Sequence, residues 1–437
     1  MQQAFDQLVD HITARLRGQE VLLVTFAGEE SDFVRFNHSL VRQAGLVQQR
    51  RVNLELISGQ RHVAGTVTLT GQAQTDRDRA DTLLAELREA IRSVPDDPYL
   101  LYNTEPTSTQ QIRDNHLPDA AFICNAVLDA GKGLDLVGIL ATGGIYAGFG
   151  NSLGQRNFFA THSFHLDFCF YHAKDKAVKT TFAGFQWDGS AFARTVADAK
   201  HQLAILARPP KTISPGEYRV YLAPAALNEV MTTLAWGGFG LKAQKTKTTS
   251  LLKMLEEGRT LSPAVTIREN TDEGLAPNFY SGGFIKPHAV TLIEDGQLKA
   301  ALTSPRSAKE YAAQPNGNEV PESLDLSAGS LPPDQVLEKL GTGVCVNRLW
   351  YLNYSDRPAC RMTGMTRFAT FWVENGQIVA PLNVMRFDDT IYRMLGENLL
   401  ALTSHRELLP SDSTYGARST SSARLPGALI DRFALTL

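Results

Sequence analysis

Ser152 is the first residue in the chain whose context suggests chemistry. It lies in the sequence GNSLG (150–154), which matches the G-x-S-x-G pattern of serine hydrolases. In that pattern a sharp strand-to-helix turn exposes the serine as a nucleophile. Here the residues after Ser152 alternate like a strand as far as Tyr171, so the helix that the pattern requires is missing. We therefore predict that Ser152 is a turn residue, and a serine hydrolase is the least favoured function.

A second group of reactive side chains is spaced two residues apart. His165, Asp167 and Cys169 share one face of a predicted strand, and each is a potential metal ligand. Same-face neighbours on a strand are about 7 Å apart. One zinc ion, which binds its ligands at about 2.0–2.3 Å, does not readily collect all three. The pattern favours a polar sheet face over a metal site.

Lysine-rich and glycine-rich stretches give weaker signals. Ser250–Lys253 fits S-x-x-K, but the companion patterns of that enzyme class, S-D-N and K-T-G, are absent. The basic passage from Lys242 to Lys253 is followed by Glu256 and Glu257, and we interpret it as a solvated helix flank. The glycines between 138 and 154 form neither G-x-G-x-x-G nor a phosphate-binding loop. No nucleotide site is predicted.

Histidine is absent from the part of the chain where a zinc peptidase helix would be expected. Such helices place two histidines one turn apart with a glutamate beside the first, so that both imidazoles reach the ion and the carboxylate activates its water. There is no histidine between His201 and His288. A helix in this interval therefore cannot carry that motif.

Composition narrows the class of protein. The 437 residues suggest two domains, and 43% hydrophobic and 20% charged residues are ordinary for a globular protein. The net charge of −3 lacks the positive excess typical of general nucleic-acid binding. Four widely spaced cysteines and a polar N-terminus predict reduced thiols and a cytoplasmic location. The uncharged run 136–155 is too rich in glycine and polar residues for a membrane span.

The elements that must position these residues follow from periodicity and turn signals. Hairpins are predicted at Gly59-Gln60, Asp295-Gly296 and Asn375-Gly376. The pattern predicts an α+β fold of two domains with mainly antiparallel sheets and flanking helices, the C-terminal domain β-rich. Three prolines at 209, 210 and 215 place the boundary at 208–216, giving domains 1–208 and 217–437. Helices are predicted over 5–16, 76–94, 190–207, 224–236 and 250–257.

An ordered series of segments resembles the TldD/PmbA family, once called modulators of DNA gyrase. The series spans nearly the whole chain, in the family's order, although each piece alone is weak. In the first half the segments are FVRFNHSLVRQAG and GLDLVGILATGGIYAGFGNSLG with the strand after it. In the second half they are YRVYLAPAALNEVMTTLAWGGFG, KTKTTSLL, AVTLIEDGQLKAALTSPRSAKEY and FWVENGQIVAPL.

The resemblance implies two kinds of subunit. TldD-like chains carry a zinc-binding H-E-x-x-x-H helix and further ligands near the C-terminal domain, and TldE (PmbA)-like chains lack them. In this chain the corresponding positions are Asn228, Glu229 and Thr233, so that only the glutamate is retained. The family's later cysteine ligand is also unmatched, since Cys345 and Cys360 fall outside the glycine-rich context expected for it. The chain resembles the metal-free subunit.

The resemblance also implies a function. The chain is expected to be the non-catalytic TldE/PmbA-like subunit of a heterodimeric zinc metallopeptidase that acts on small or unfolded peptides. The zinc is expected in a TldD-like partner, with no cofactor or metal in this chain and no direct contact with nucleic acid or membrane. The alternative is a homodimeric peptide- or protein-binding module of the same fold. The segment Arg348–Met365 is richer in aromatic and polar residues than the family's usual run, which bears on substrate preference.

Overall fold

The first half of the chain forms one large, mainly antiparallel sheet flanked by helices. The computed structural model describes residues 1–173 and 176–437. Seven strands are ordered β3-β2-β1-β5-β6-β4, and β7 also pairs with β6. The elements are α1 (Gln2–Thr13), β1 (Val21–Asn37), β2 (Leu40–Ser58), β3 (Arg61–Thr68), α2 (Ala73–Ala90), β4 (Thr109–Ile112), α3 (Ala120–Gly131), β5 (Asp135–Asn151), β6 (Arg156–Ala173), β7 (Lys176–Gly184) and α4 (Gly189–Leu206).

The second half begins with a strand and a helix and continues as short strands. Its first elements are β8 (Gly216–Leu222), α5 (Pro224–Ala235), α6 (Leu241–Lys245), α7 (Leu252–Glu256), β9 (Ile267–Asn270), β10 (Ala289–Glu294), β11 (Gln297–Leu298), α8 (Pro305–Glu310) and β12 (Ser323–Leu326). The remainder are α9 (Val336–Leu340), β13 (Gly343–Val346), β14 (Leu349–Asp356), β15 (Arg361–Thr366), β16 (Thr370–Glu374), β17 (Gln377–Pro381), β18 (Arg386–Thr390), β19 (Leu399–Leu402), β20 (Glu407–Pro410), β21 (Ser422–Leu425) and β22 (Ala428–Leu435).

The short strands of the second half form two separate sheets. One is ordered β11-β10-β9-β12-β21-β20, and the other β14-β15-β18-β22-β8-β13-β16-β17 with β19 beside β22. The parallel pairs within the three sheets are β4 with β6, β12 with β21, and β8 with β13. All other pairs of these strands are antiparallel, so the predicted α+β class with mainly antiparallel sheets is confirmed.

The hairpin turns form where the sequence predicts them. Asp295 and Gly296 both have positive φ, 48° and 77°, and Asn375 and Gly376 have 50° and 75°. A two-residue turn with positive φ at both positions matches the twist of the strands it joins, and Asp-Gly and Asn-Gly tolerate that conformation. Gly59 likewise turns β2 into β3.

The helix predicted over 76–94 differs in its buried face. It ends at Ala90, and Leu84, not Leu83, is fully buried. The buried stripe is Ala80, Leu84, Leu87 and Ile91, with the spacing of successive helical turns facing β2 and β3. Leu83 lies beside this stripe and is half-buried. The sequence predicts a stripe of Leu83, Leu87, Ala90, Ile91 and Val94, which is correct at Leu87 and Ile91 and wrong at Leu83 and Ala90.

One hydrophobic cluster joins the two halves of the chain. Phe168, Phe192 and Leu203 from β6 and α4 belong to the same cluster as Phe371 and Leu429 from the C-terminal sheet. A second cluster is built from the C-terminal half alone and packs the two smaller sheets around α5. Within the described parts of the chain, no helix is both long and apolar enough to cross a membrane.

Candidate functional site

Helix α5 has one buried face and one face that borders a cavity. Pro224 occupies the first turn, where its missing N–H has no partner to lose. Leu227, Val230 and Leu234 are fully buried in the C-terminal core. The chain leaves the helix through Gly237, whose φ of 92° favours glycine. The opposite face borders the cavity with Ala225, Asn228, Glu229, Thr232 and Ala235.

The cavity lies between the two halves of the molecule and has a volume of about 810 Å³. Its walls are α5, the adjoining parts of β6 and β7, and the segment that runs from β20 to β21. This volume lies within the range of pockets that hold small ligands or short peptide segments. The charged and titratable side chains that line it are His165, Glu229, Arg348, His405, Arg406, Glu407 and Asp412.

The predicted motif positions are divided between cavity and core. Asn228 and Glu229 line the cavity, whereas Thr233 is buried and its hydroxyl donates to the carbonyl of Glu229 at 2.9 Å. Thr232 lines the cavity instead. The spacing of Asn228 and Thr232 is i, i+4, which places both side chains on one helix face. This periodicity was the signal that could have identified Thr232.

Burial governs the titration of the acidic side chains. It raises the pKa of Glu229, Arg348 opposes that shift, and Asp412 adds to it. Burial also raises the pKa of Glu407, with His405 and Arg348 opposing. Glu407 is exposed to solvent on one side, but it lines the concave wall of the cavity, where protein surrounds it on the other sides. Both carboxylates therefore take up a proton more readily than exposed glutamates do.

His165 reaches the same cavity from β6. Burial lowers the pKa of its imidazole, and the negative charge of Asp167 opposes the shift. Asp167 forms an ion pair with Lys179 at 3.0 Å and accepts a hydrogen bond from Thr181. Burial raises the pKa of Cys169 to about 11. The strand alternation was predicted correctly, and these side chains form a polar sheet face.

The side chains on the cavity face of α5 do not fit a catalytic zinc ion. A catalytic zinc takes about three protein ligands from histidine, cysteine or carboxylate side chains. The cavity face of α5 offers one carboxylate, an amide and a hydroxyl. Among residues 1–173 and 176–437, no group of three or more His, Cys, Asp or Glu side chains is arranged to hold a metal. Cys345 and Cys360 are buried outside the cavity, where burial raises the pKa of each thiol to about 12.

Ser152 and Ser250 occupy structural positions. Ser152 lies in the turn between β5 and β6, where its N–H donates to the carbonyl of Leu22 and its Oγ accepts from the N–H of Leu22, both at 3.0 Å. The predicted turn is confirmed, and a strand follows it. Ser250 is completely buried. In the basic passage, Lys247 pairs with Glu256 at 2.5 Å in solvent, as expected of a solvated helix flank.

Arg418 connects the cavity segment to the N-terminal sheet. Its guanidinium donates to the carbonyl of Ser163 at 2.9 Å and to Ser31 and Gly143 at 3.3 Å each. Burial lowers its pKa to about 10. Asp412 lies on the same segment, so this anchor fixes one wall of the cavity. Nothing in the local sequence indicated it, because its acceptors are more than 250 residues away.

The C-terminal half matches a family model. Residues 215–436 match the PmbA/TldA metallopeptidase C-terminal domain. The match covers more than half of the chain. The chain belongs to the TldD/PmbA family. No curated protein matches it.

Three solved structures resemble this TldD/PmbA family member along its whole length. TldE from Thermococcus kodakarensis has a TM-score of 0.77 at 12% identity, and 99% of this chain and 100% of that chain are covered. A protein from Bacteroides thetaiotaomicron described as a modulator of DNA gyrase gives 0.76 at 14%, covering 99% and 98%. One from Thermotoga maritima, described likewise, gives 0.74 at 13%, covering 99% of both chains. At these identities the likeness concerns the fold.

The family match bears on the cavity. The matched residues of this TldD/PmbA family chain include α5, Arg348 and Glu407, which form much of the wall. His165 and Thr181 come from the half that the family model does not cover. The cavity is therefore built jointly by both halves of the fold.

Proposed function

We propose that the chain is the non-catalytic, TldE-like subunit of a TldD/TldE-type zinc metallopeptidase complex that acts on small or unfolded peptides. The zinc belongs to a TldD-like partner, and the cavity beside α5 contributes to holding the peptide. The free cysteines agree with a complex that works in the cytoplasm, because reducing conditions keep thiols unpaired.

The observation that carries the proposal is the cavity face of α5. Asn228, Glu229 and Thr232 border a cavity large enough for a peptide segment, yet they include no imidazole. Glu229 without a bound ion has no activated water to deprotonate. By the family resemblance this face corresponds to the zinc-binding face of the catalytic helix, and it lacks the histidines that would bind the zinc. A cavity of this kind serves binding.

Zinc content and peptidase activity test the proposal. The chain purified alone is expected to hold no stoichiometric zinc and to cleave no peptides, and activity is expected only with a TldD-like partner. Glu229→Ala is expected to change the rate of cleavage by the complex little, because the bound ion lies on the partner. Elemental analysis and peptide digestion read by mass spectrometry measure both properties.

Two outcomes would replace the proposal. About one tightly bound zinc per chain, with chelator-sensitive activity of the isolated protein, would make this chain an enzyme. A stable homodimer that binds peptides and captures no TldD-like chain from its native extract would favour the homodimeric binding module. Isolation of the native protein with mass-spectrometric identification of its partner separates the two kinds of complex.

A further inference from the structure

Arg348 is a cation of the cavity wall that has no acidic partner among residues 1–173 and 176–437. One N–H of its guanidinium donates to the hydroxyl of Thr181 at 2.6 Å. A guanidinium has five N–H donors. In the part of the chain that the structure describes, the remaining donors of Arg348 have no acceptor, and no carboxylate oxygen lies within 4.0 Å of them. The wall therefore presents a positive charge with free hydrogen-bonding capacity.

Arg367 is a second cation, which adjoins the cavity wall at the base of the same hairpin as Arg348. Its guanidinium lies 4.1 Å from the ring centre of Trp350 and 5.3 Å from that of Phe368. No carboxylate among the described residues comes within 4.0 Å of it either. Leu349 pairs with Thr366 across the hairpin formed by β14 and β15. Arg348 and Arg367, which flank this pair in the sequence, are therefore neighbours at the base of the hairpin.

The other cations of this region are neutralised. Arg406 pairs with Asp325 and with Glu273, and Lys179 pairs with Asp167. Glu229 and Glu407 lie within the field of Arg348 without forming an ion pair with it. Among the described residues, the unpaired guanidinium donors here are thus those of Arg348 in the wall and of Arg367 beside it, at the two ends of the hairpin formed by β14 and β15.

We propose that Arg348 and Arg367 recognise a carboxylate of the bound peptide, either its C-terminal carboxylate or an aspartate or glutamate side chain. The inference rests on the proposed peptide-holding function and specifies the substrate class. The planar guanidinium fork matches a carboxylate in shape and charge, and hydrogen bonds between ionised groups are the strong ones. The segment that departs from the family's usual composition is then a specificity element.

Aromatic side chains flank the proposed carboxylate site. Trp350 is 39% exposed and stacks against Arg367, and Tyr351 is 75% exposed. Their rings are available for apolar contact with the residue beside the carboxylate. The site is therefore suited to an acidic peptide whose neighbouring side chain is apolar or aromatic.

Calorimetric titration of the full-length chain with a matched peptide set tests the inference. The peptides share one sequence, end in a free carboxylate or an amide, and carry glutamate or glutamine at one internal position. The carboxylate that is recognised is expected to increase affinity by about tenfold over its neutral counterpart, the effect of one charge-assisted hydrogen-bonded pair. Comparing the two positions distinguishes the C-terminal from the side-chain carboxylate.

Arginine variants test which side chains cause the preference for a carboxylate. Arg348→Gln is expected to abolish the preference, and Arg348→Lys to keep part of it, because lysine retains the charge without the planar fork. Arg367→Gln is expected to reduce it less. The matched control is Arg361→Gln, on the same hairpin, because Arg361 already pairs with Asp388 at 3.2 Å. This control is expected to leave the preference unchanged.

The results that would contradict the carboxylate site differ from those that would contradict the proposed peptide-holding function. If all peptides bind with equal affinity, or if Arg348→Gln has no more effect than Arg361→Gln, the carboxylate site is wrong and peptide holding stands. If no peptide in the set binds, both are wrong. Tighter binding of a single-stranded oligonucleotide than of the acidic peptides would replace the inference with nucleic-acid recognition.

Discussion

The N-terminal sheet and the C-terminal sheets are built differently. Strands β1, β2, β5 and β6 each have 17 to 19 residues, and β1 pairs with β5 without interruption from Leu23–Asn151 to Phe36–Gly138. C-terminal strands have two to eight residues, and the register shifts between β14 and β15, between β16 and β17, and between β8 and β22. Where the register shifts, side chains no longer alternate strictly between the two faces of the sheet.

This difference determines what each region contributes to the cavity. The N-terminal sheet supplies one wall, with His165 on the 18-residue strand β6 and Thr181 on β7 beside it. Glu229, Arg348 and Glu407 come from a helix and from the ends of short strands. Long strands place a surface accurately, and short elements vary the charged groups around it. We therefore expect function to change through the C-terminal region and stability to depend on both.

The largest expected effect concerns the cluster shared by the two regions. Phe371 is 1% exposed and belongs to that cluster, whereas Phe433 is fully buried in the C-terminal cluster alone. Replacing either by alanine is expected to cost about 3–5 kcal/mol of unfolding free energy. Phe371→Ala is also expected to separate unfolding into two steps, and Phe433→Ala is not. Chemical denaturation followed by far-UV circular dichroism measures both.

A single transition in Phe371→Ala as well would show that the shared cluster does not couple the regions. Limited proteolysis is the accompanying test of the boundary predicted at 208–216, where cleavage is expected to release the segment 217–437. Cleavage at another position would count against that boundary.

A smaller effect is expected in the regular region, at Ser152. Ser152→Ala removes the acceptor for the N–H of Leu22, which is expected to cost about 1 kcal/mol. Thermal melting measures this loss, and the wild-type protein is expected to remain unlabelled by a fluorophosphonate probe. Labelling that disappears in Ser152→Ala would contradict the structural role and revive the serine-hydrolase interpretation.

The smallest effect is expected at Glu229 in the irregular region, and it is a gain in stability instead of a loss. Burial raises the pKa of its carboxyl in the folded chain above the unfolded value. The folded state therefore binds this proton more tightly, so the stabilisation is full below the unfolded pKa and is lost as pH rises through the folded pKa. Glu229→Gln is expected to raise the melting temperature slightly at neutral pH and to change little near pH 4.

Glu86→Gln is the control for this measurement, because Glu86 is an exposed carboxylate on α2. It is expected to leave the melting temperature unchanged at both pH values. A destabilising Glu229→Gln at neutral pH would mean that attraction to Arg348 exceeds the effect of burial.

Local patterns in the sequence predict the elements of this fold well. The helix predicted over 224–236 is α5, and Asp-Gly and Asn-Gly predict two hairpins. These signals succeed because the interactions behind them lie within a few residues. In α2 the prediction placed Leu83 instead of Leu84 on the buried face, because both are apolar and only packing against the sheet distinguishes them.

The cavity depends on contacts that local patterns do not contain. Glu407 and Asp412 are brought opposite Glu229 by the parallel pairing of β12 with β21 and by the anchoring of Arg418 on the N-terminal sheet. Glu407 and Asp412 lie more than 170 positions from Glu229 in the sequence. Arg348 was noted only for its unusual segment, since its lack of an acidic partner is a three-dimensional property. The helix was predictable, and its surroundings were not.

The two faces of α5 are chemically independent. Leu227, Val230 and Leu234 hold the helix in the core, and Asn228 and Thr232 make none of those core contacts. Histidines at the latter two positions would lie one turn apart with Glu229 beside the first, the spacing of an H-E-x-x-H zinc helix, which is one residue shorter than the H-E-x-x-x-H of the family resemblance. They would supply two of the about three protein ligands that a catalytic zinc takes. The chemistry of the cavity face can therefore change without disturbing the packing that holds the helix in place.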